Sequence, residues 1–238
     1  MNILIFGASG SIGNHLYNRF KDKYNVYCSS SSDKSVNLIK CKIVNGVLVH
    51  NMCELNLPKF DGIIWAQGKN INDSIYNLDI TNFNSIIECN VTFILETLKT
   101  LIDNNLINEY AKMVIISSIW EDCTRDNKLS YSISKGCLTN LVKNIAFDLS
   151  EKHILINNVL PGPIDNEMTN STLSKEQIKH ISEYTGFNRL VSLDDVYNTV
   201  NFLMVFNTGI SGQSIKVDLG FTNITPFNIS NADFQQST

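Results

Sequence analysis

The sequence predicts an α/β fold: a doubly wound, mainly parallel sheet of seven strands with helices on both faces. Two observations carry this. Short apolar runs alternate with longer stretches of helical apolar spacing along the whole chain. Alternation of that kind is the mark of parallel strands joined by crossover helices. The second observation bounds the size: 238 residues, with no linker and no internal repeat, fit one such sheet spanning 1–238.

The elements follow in order. Ile3-Leu4-Ile5-Phe6 is a short apolar run of the type seen in buried parallel strands. GASGSIG (Gly7 to Gly13) comes next, and Ile12, Leu16 and Phe20 then fall at helical spacing. Asn25 to Cys28 is the second strand and runs into Ser29 to Ser32 and Asp33. Val47 to His50 is the third. The stretch 35–59 is short and rich in Asn, with little room for a helix before the fourth strand. That fourth strand is Gly62 to Gly68, running into a loop. A long amphipathic helix covers Phe83 to Ile102, and Met113 to Ser118 forms the fifth strand. A helix from Tyr131 to Ser150 leads to the sixth strand, Ile154 to Leu160. Ser192 N-caps a helix over Asp194 to Phe206, and Gln213 to Val217 closes the sheet. The tail from 223 to 238 is polar and is expected to be loose.

Composition excludes several functions. A net charge of −4 and 18% charged residues give no basic face, which argues against a nucleic-acid partner. No stretch approaches the ~18 apolar residues of a membrane span, and Met1-Asn2 lacks the basic start of a secretory signal. The six cysteines form no C-x-x-C pair and no metal-ligand spacing. Most lie in apolar stretches, as expected of reduced thiols in a cytoplasmic protein. His15, His50, His153 and His180 share no spacing that would make a metal site.

Two stretches carry chemistry. A glycine cluster between a strand and a helix is the setting in which G-x-x-G-x-x-G binds a dinucleotide. Glycines let the backbone turn tightly against a pyrophosphate, and the helix start offers free N–H groups. The second stretch is Tyr131-Ser132-Ile133-Ser134-Lys135, in which Tyr and Lys share a helix face at i and i+4. A free phenol titrates near pH ~10. A nearby ammonium favours the phenolate, so the pair can act as a tuned general acid/base. Ser118 ends the fifth strand, where such sheets open onto a ligand crevice, and its hydroxyl could hold a substrate oxygen.

These residues together resemble the short-chain dehydrogenase/reductase family, in its compact, single-domain, Rossmann-like branch. The match runs from Asn2 to about Phe221. The resemblance implies that Gly7, Ser9, Gly10, Ser11, Ile12 and Gly13 cradle the pyrophosphate of a nicotinamide dinucleotide. It implies Asn90 as the residue that orders a proton-relay water, Ser118 as the holder of the substrate oxygen, and Tyr131 as the proton donor or acceptor. Lys135 would lower the phenol's pKa and hold the nicotinamide ribose. Ala66 and Gly68 stand in the stretch that is Asn-Asn-Ala-Gly in the family. Asn51 and Met52 would border the adenine. Pro161 and Gly162 would face the nicotinamide, followed by Ile164 and by Asn166 in place of the family's Thr. Family members are dimers or tetramers through the two long helices, so a homo-oligomer is expected.

The chain also departs from the family. G-x-x-G-x-x-G is commoner in the extended branch, which includes sugar-nucleotide epimerases and dehydratases, although the short stretch after Pro161 fits the compact one. Trp65 replaces an Asn and reads as core. At the end of the second strand, Ser30 and Ser31, with Lys34 nearby, favour NADP(H) through a 2′-phosphate. Asp33 lies where NAD(H) enzymes carry an acid, so NAD(H) stays possible. The lid over the substrate is expected at 163–190, polar and of mixed charge. The 120–130 loop is also of mixed charge, which disfavours an acidic carrier protein. A small polar carbonyl or alcohol fits best. Two other functions stay open: an NAD-dependent epimerase or dehydratase, and a non-catalytic dinucleotide sensor.

Overall fold

The computed structural model describes residues 1–29, 38–44, 47–166, 169 and 174–223. Its centre is a parallel sheet of seven strands. They are β1 (Asn2–Phe6), β2 (Asn25–Ser29), β3 (Leu38–Ile39), β6 (Phe60–Trp65), β7 (Ile107–Ile116), β8 (Leu155–Pro161) and β9 (Ser214–Val217). Their order is β3-β2-β1-β6-β7-β8-β9, every pairing parallel. The chain leaves β1 toward one edge and returns at β6 on its other side. A reversal of this kind opens a crevice at the carboxyl ends of the central strands.

Both faces of the sheet are covered, which is why β1 is apolar at every inner position. Leu4 and Phe6 point to one face and join Ile63, Trp65, Met113 and Leu138 in one core. Ile3 and Ile5 point to the other and pack with Leu16 and Phe20 of α1 (Ser11–Phe20). Trp65 is fully buried, stacks on Phe6 at 5.8 Å between centroids, and donates its indole N–H to Thr97 at 2.9 Å. A residue so held is core.

The third strand expected at Val47–His50 does not join this sheet. It forms β5 and pairs antiparallel with β4 (Cys41–Val44), making a two-stranded ribbon. The sheet position expected for it belongs to Leu38–Ile39. The physical reason is composition: Cys41–Val44 and Val47–His50 are short alternating runs containing β-branched residues, which suit a paired ribbon. Val47 and Val49 are exposed while Leu48 packs on the core, as alternation in a half-exposed ribbon requires.

The long helix expected at Phe83–Ile102 begins earlier and is interrupted. α2 (Ile80–Ile87) is capped by Asp79, whose carboxylate accepts the Asn82 N–H at 3.0 Å. A π-turn follows at Glu88–Thr92, and α3 (Phe93–Asp103) continues beyond it. α4 (Leu129–Asp148) is the Tyr–Lys helix. α5 (Lys175–Glu183) lies within the stretch expected to form the lid, and α6 (Leu193–Asn201) ends in a second π-turn at Phe202–Phe206. The tail after residue 223 lies outside the described residues. Among the described residues no helix is long and apolar enough to cross a membrane.

Ser192 caps α6 as the sequence predicts. Its hydroxyl accepts from Asp195 N at 3.0 Å, and Asp195 accepts from Ser192 N at 2.8 Å. Asp195 also pairs with Arg189 at 2.6 Å, which holds its carboxyl down at about 2. Ser192→Ala leaves the first turn of α6 with an unpaired donor. The expected loss, read by urea denaturation, is about 1 kcal/mol.

Candidate active site

The crevice begins at the glycine loop. Gly7 takes φ +79°, and a Cβ there would lie 2.5 Å from Gln67 N. A Cβ on Gly13 would lie 2.2 Å from the Gly7 carbonyl oxygen. Only glycine fits at either position. Gly10 caps α1 without a side-chain hydrogen bond, and no acidic residue sits in the helix's first turn. The N–H groups there keep their positive end available for an anion.

The crevice has two lobes. The first, of about 390 Å³, is lined by Gly7, Ser9 and Gly10, by Ala66, Gln67 and Gly68, and by Ser29 at the end of β2. The ribbon contributes Cys41, Lys42 and Ile43. The second lobe, of about 530 Å³, brings together Ile12, Ser118, Tyr131, Pro161, Gly162, Ile164 and Asn166. Ser11 lies at its edge, accepting from Asn166 Nδ2 at 3.3 Å. The 163–165 segment is fixed by Val191 N donating to Pro163 O at 3.0 Å and Asp165 N donating to Val191 O at 2.8 Å.

Between the lobes sit Asn90 and Lys135. The π-turn turns Asn90 inward, where it is 1% exposed. Its Oδ1 accepts from Lys69 N at 2.8 Å. Its Nδ2 donates to Lys69 O at 3.0 Å and to Ser134 Oγ at 2.9 Å. Ser134 in turn donates to Tyr131 O at 2.8 Å. The Asn90 side chain therefore ties the loop after β6 to α4, directly under Tyr131. Lys135 is buried, and its Nζ donates to Ile116 O at 3.0 Å. Burial pushes this ammonium down to about 8, against the opposing pull of Cys89 and Glu121. Burial also pushes the Tyr131 phenol up, and a hydrogen bond with Ser118 partly offsets this. Ser118 caps the turn after β7, accepting from Trp120 N at 3.4 Å.

Two expected contacts are not made. Met52 is 1% exposed and belongs to the core beneath the ribbon, not to the crevice wall. Asn51 accepts from Lys40 N at 2.8 Å and closes the base of the ribbon. Both follow from the hairpin, which places β4 against the crevice instead. Ser30 and Ser31, with Asp33 and Lys34, lie outside the described residues.

The 120–130 loop carries mixed charge as expected, but its charges divide by direction. Glu121 turns inward to Thr139, Asn158 and Ser214, and Asp122 pairs with Lys216 at 3.0 Å. Only Arg125 and Lys128 of the loop's charged residues line the second lobe. A linear sequence does not reveal which of alternating charges points inward.

Gln67 and Ser117 were missed as well. Both Gln67 side-chain polar atoms are buried without a partner in the first lobe, as is the Ser117 hydroxyl in the second. Buried orphans of this kind suit a polar ligand. Together with the two glycine positions and the free start of α1, they fit a dinucleotide laid across both lobes. Among the described residues no group of His, Cys, Asp and Glu is placed to hold a metal.

Fold and site together define a dinucleotide-binding oxidoreductase of the doubly wound α/β class. Residues 48–222 match the profile of the family described as enoyl-(acyl carrier protein) reductase. The chain belongs to the short-chain dehydrogenase/reductase family. It is similar to the 3-oxoacyl-[acyl-carrier-protein] reductase FabG of Buchnera aphidicola, 25% identical across 91% of this chain and 95% of the relative. Among solved structures it resembles a short-chain dehydrogenase family protein from Francisella tularensis, with TM-score 0.80 and 24% identity over 94% of this chain and 99% of that one. A gluconate 5-dehydrogenase from Burkholderia cenocepacia, in complex with NADP and tartrate, superposes with TM-score 0.82 at 15% identity, covering 94% and 96% of the two chains. The chain is accordingly an enzyme that interconverts CH–OH and C=O with a nicotinamide dinucleotide.

Asn90→Ala strands the Lys69 N–H and removes the link to Ser134. The expected loss is about 1–3 kcal/mol for an unsatisfied buried donor, read as a lowered Tm. Asn90→Asp keeps an acceptor for Lys69 N but sets a buried carboxylate oxygen against Lys69 O, and is expected to lose at least as much.

Proposed function

We propose that the protein is an NADP(H)-dependent reductase or dehydrogenase that interconverts a carbonyl and an alcohol on a small polar substrate, with Tyr131 as general acid/base. The observation that carries this reading is the meeting of Ser118 and Tyr131 in the second lobe, with the buried Lys135 Nζ 5.8 Å from the Tyr131 ring centroid behind them. The bound cofactor supplies hydride transfer to or from the substrate carbon. The chain's own groups handle position and protons. Ser118 holds the substrate oxygen, which brings it within reach of the phenol. Burial keeps Tyr131 neutral, the form that gives a proton to an oxygen gaining negative charge. In the reverse direction the phenol must ionise first, and the Lys135 ammonium favours that phenolate. Asn90 positions α4 and the Gly68-Lys69 loop.

NADP(H) is supported by the end of β2. Ser29, not an acid, lines the first lobe there, and Lys42 of the ribbon lies in the same wall. A cation and a hydroxyl suit a 2′-phosphate. A polar substrate is supported by Asn70, Asn166, Gln177 and His180 in the walls of the second lobe, which also carry Ile12, Trp120, Ile164, Ile181 and Phe221. The reading includes a homo-oligomer in the cytoplasm. It is supported by six free cysteines and by Leu95, Ile133 and Phe147, which stand exposed on α3 and α4.

Titration with NADPH and with NADH, followed by nicotinamide fluorescence, tests the reading. Tighter binding of NADPH is expected. A preference for NADH would make Asp33 the ribose ligand and favour the epimerase-like alternative. Binding of neither would end the proposal. With NADPH bound, Tyr131→Phe is expected to lower kcat/KM about 10²–10⁴-fold. Lys135→Met is expected to move the rising limb of alcohol oxidation to higher pH, because the phenolate loses its neighbouring cation. An unmoved limb would take Lys135 out of the phenol's titration.

A further inference from the structure

Tyr131 lies near two ammonium groups. Lys135 Nζ is 5.8 Å from the ring centroid and Lys128 Nζ is 5.4 Å from it. Lys135 serves the phenol and the cofactor in the reading above. Lys128 is left without a role there. It begins α4, and at i−3 and i+4 the two lysines flank Tyr131 along one stripe of the helix.

The setting of Lys128 is unusual for a buried cation. Its Nζ donates to two neutral oxygens, Asn70 Oδ1 at 2.8 Å and Asn72 Oδ1 at 2.9 Å. No carboxylate comes within ion-pairing distance of it among the described residues. The nearby Asp73 is engaged with Ser130, through both its backbone N–H and its hydroxyl. Buried charges are as a rule paired. Burial, and then the Arg125 charge, push the Lys128 ammonium down, against a smaller pull from Asp73. The second lobe adds Arg125 and His180 to Lys128, and no Asp or Glu lines it among the described residues. An ammonium has three donors, and the two Asn oxygens take two of them.

We propose that the substrate carries an anionic group, a carboxylate or a phosphate, a few bonds from the reacting carbon, and that Lys128 binds it with help from Arg125. This rests on the carbonyl/alcohol reading of the site. The asparagines hold the ammonium in place without neutralising it. The anion then supplies the charge partner that the protein withholds, and a neutral substrate of the same shape leaves the cation unpaired. Selectivity follows from that difference.

Calorimetry on the NADP⁺-loaded full chain, in which a ketone cannot be reduced, tests the proposal. Two probes are each matched with a neutral partner: 3-oxobutanoate with 3-oxobutanamide, and dihydroxyacetone phosphate with dihydroxyacetone. At least one anion is expected to bind tenfold or more tighter than its partner, and which one does so tells a carboxylate pocket from a phosphate pocket. Lys128→Gln is expected to cut that ratio about ten- to hundredfold, the range for one charge-assisted hydrogen bond. Lys128→Arg is expected to restore part of it. If Lys128→Gln fails to fold, Arg125→Gln carries the test from an exposed position and is expected to lower the ratio about fivefold. Anions that bind no better than their neutral partners, or a ratio that survives every substitution, would overturn the proposal while leaving the oxidoreductase reading in place. Failure of NADP⁺ itself to bind would overturn both.

Discussion

The site depends on keeping one ammonium group out of water. Lys135 is 3% exposed and has a single carbonyl partner, Ile116 O. A charge so placed is costly, and its fall to about 8 records that cost. Three segments must meet to enclose it. The end of β7 supplies the carbonyl. The π-turn supplies Asn90, which holds the neighbouring Ser134. The loop after β6 supplies Gly68, where a Cβ would lie only 3.8 Å from Lys135 Nζ and 3.7 Å from Asn90 Oδ1. Loop, turn and helix therefore cannot shift independently, and Tyr131 inherits its position from all three.

Burial and charge act on Tyr131 in opposite directions. A cation beside a phenolate favours the charged form. Two such cations lie near the ring. The phenol is nonetheless pushed up, so burial outweighs the favourable terms in the empty site. The protonated phenol is the resting form, and ionisation becomes easier only when ligands and cations share the site. A hydroxyl from Ser118 is the one direct hydrogen bond that lowers it.

Much of this was legible in the sequence because local patterns are rigid. The glycine loop announces itself through spacing, since no other residue fits at Gly7 or Gly13. Tyr131 and Lys135 share a helix face by periodicity alone. The Ser192 cap follows from Ser at the boundary and Asp three residues on. What was not legible depends on contacts distant in sequence. The π-turn adds one residue to a helix without disturbing its apolar spacing enough to notice, yet it is what turns Asn90 inward. Lys128 looks like one charge in a mixed loop. Its isolation appears only when Glu121 and Asp122 are seen to face other partners.

The ribbon is the clearest case of a local choice with a distant effect. The stretch between β3 and β6 forms a ribbon where a helix could stand, and β4 walls the first lobe. A two-stranded ribbon alone is marginal in water. This one is anchored because Ile43 and Leu48 pack on the core that contains Met52, and Asn51 clamps Lys40 at its base. Met52 and Asn51, expected to touch the cofactor, act one step back from it. They fix the ribbon that presents Cys41, Lys42 and Ile43. The shape of this end of the crevice is then a property of core packing as much as of the residues that line it. A substitution at Met52 that loosens the ribbon changes where Lys42 stands without altering any group that lines the cleft.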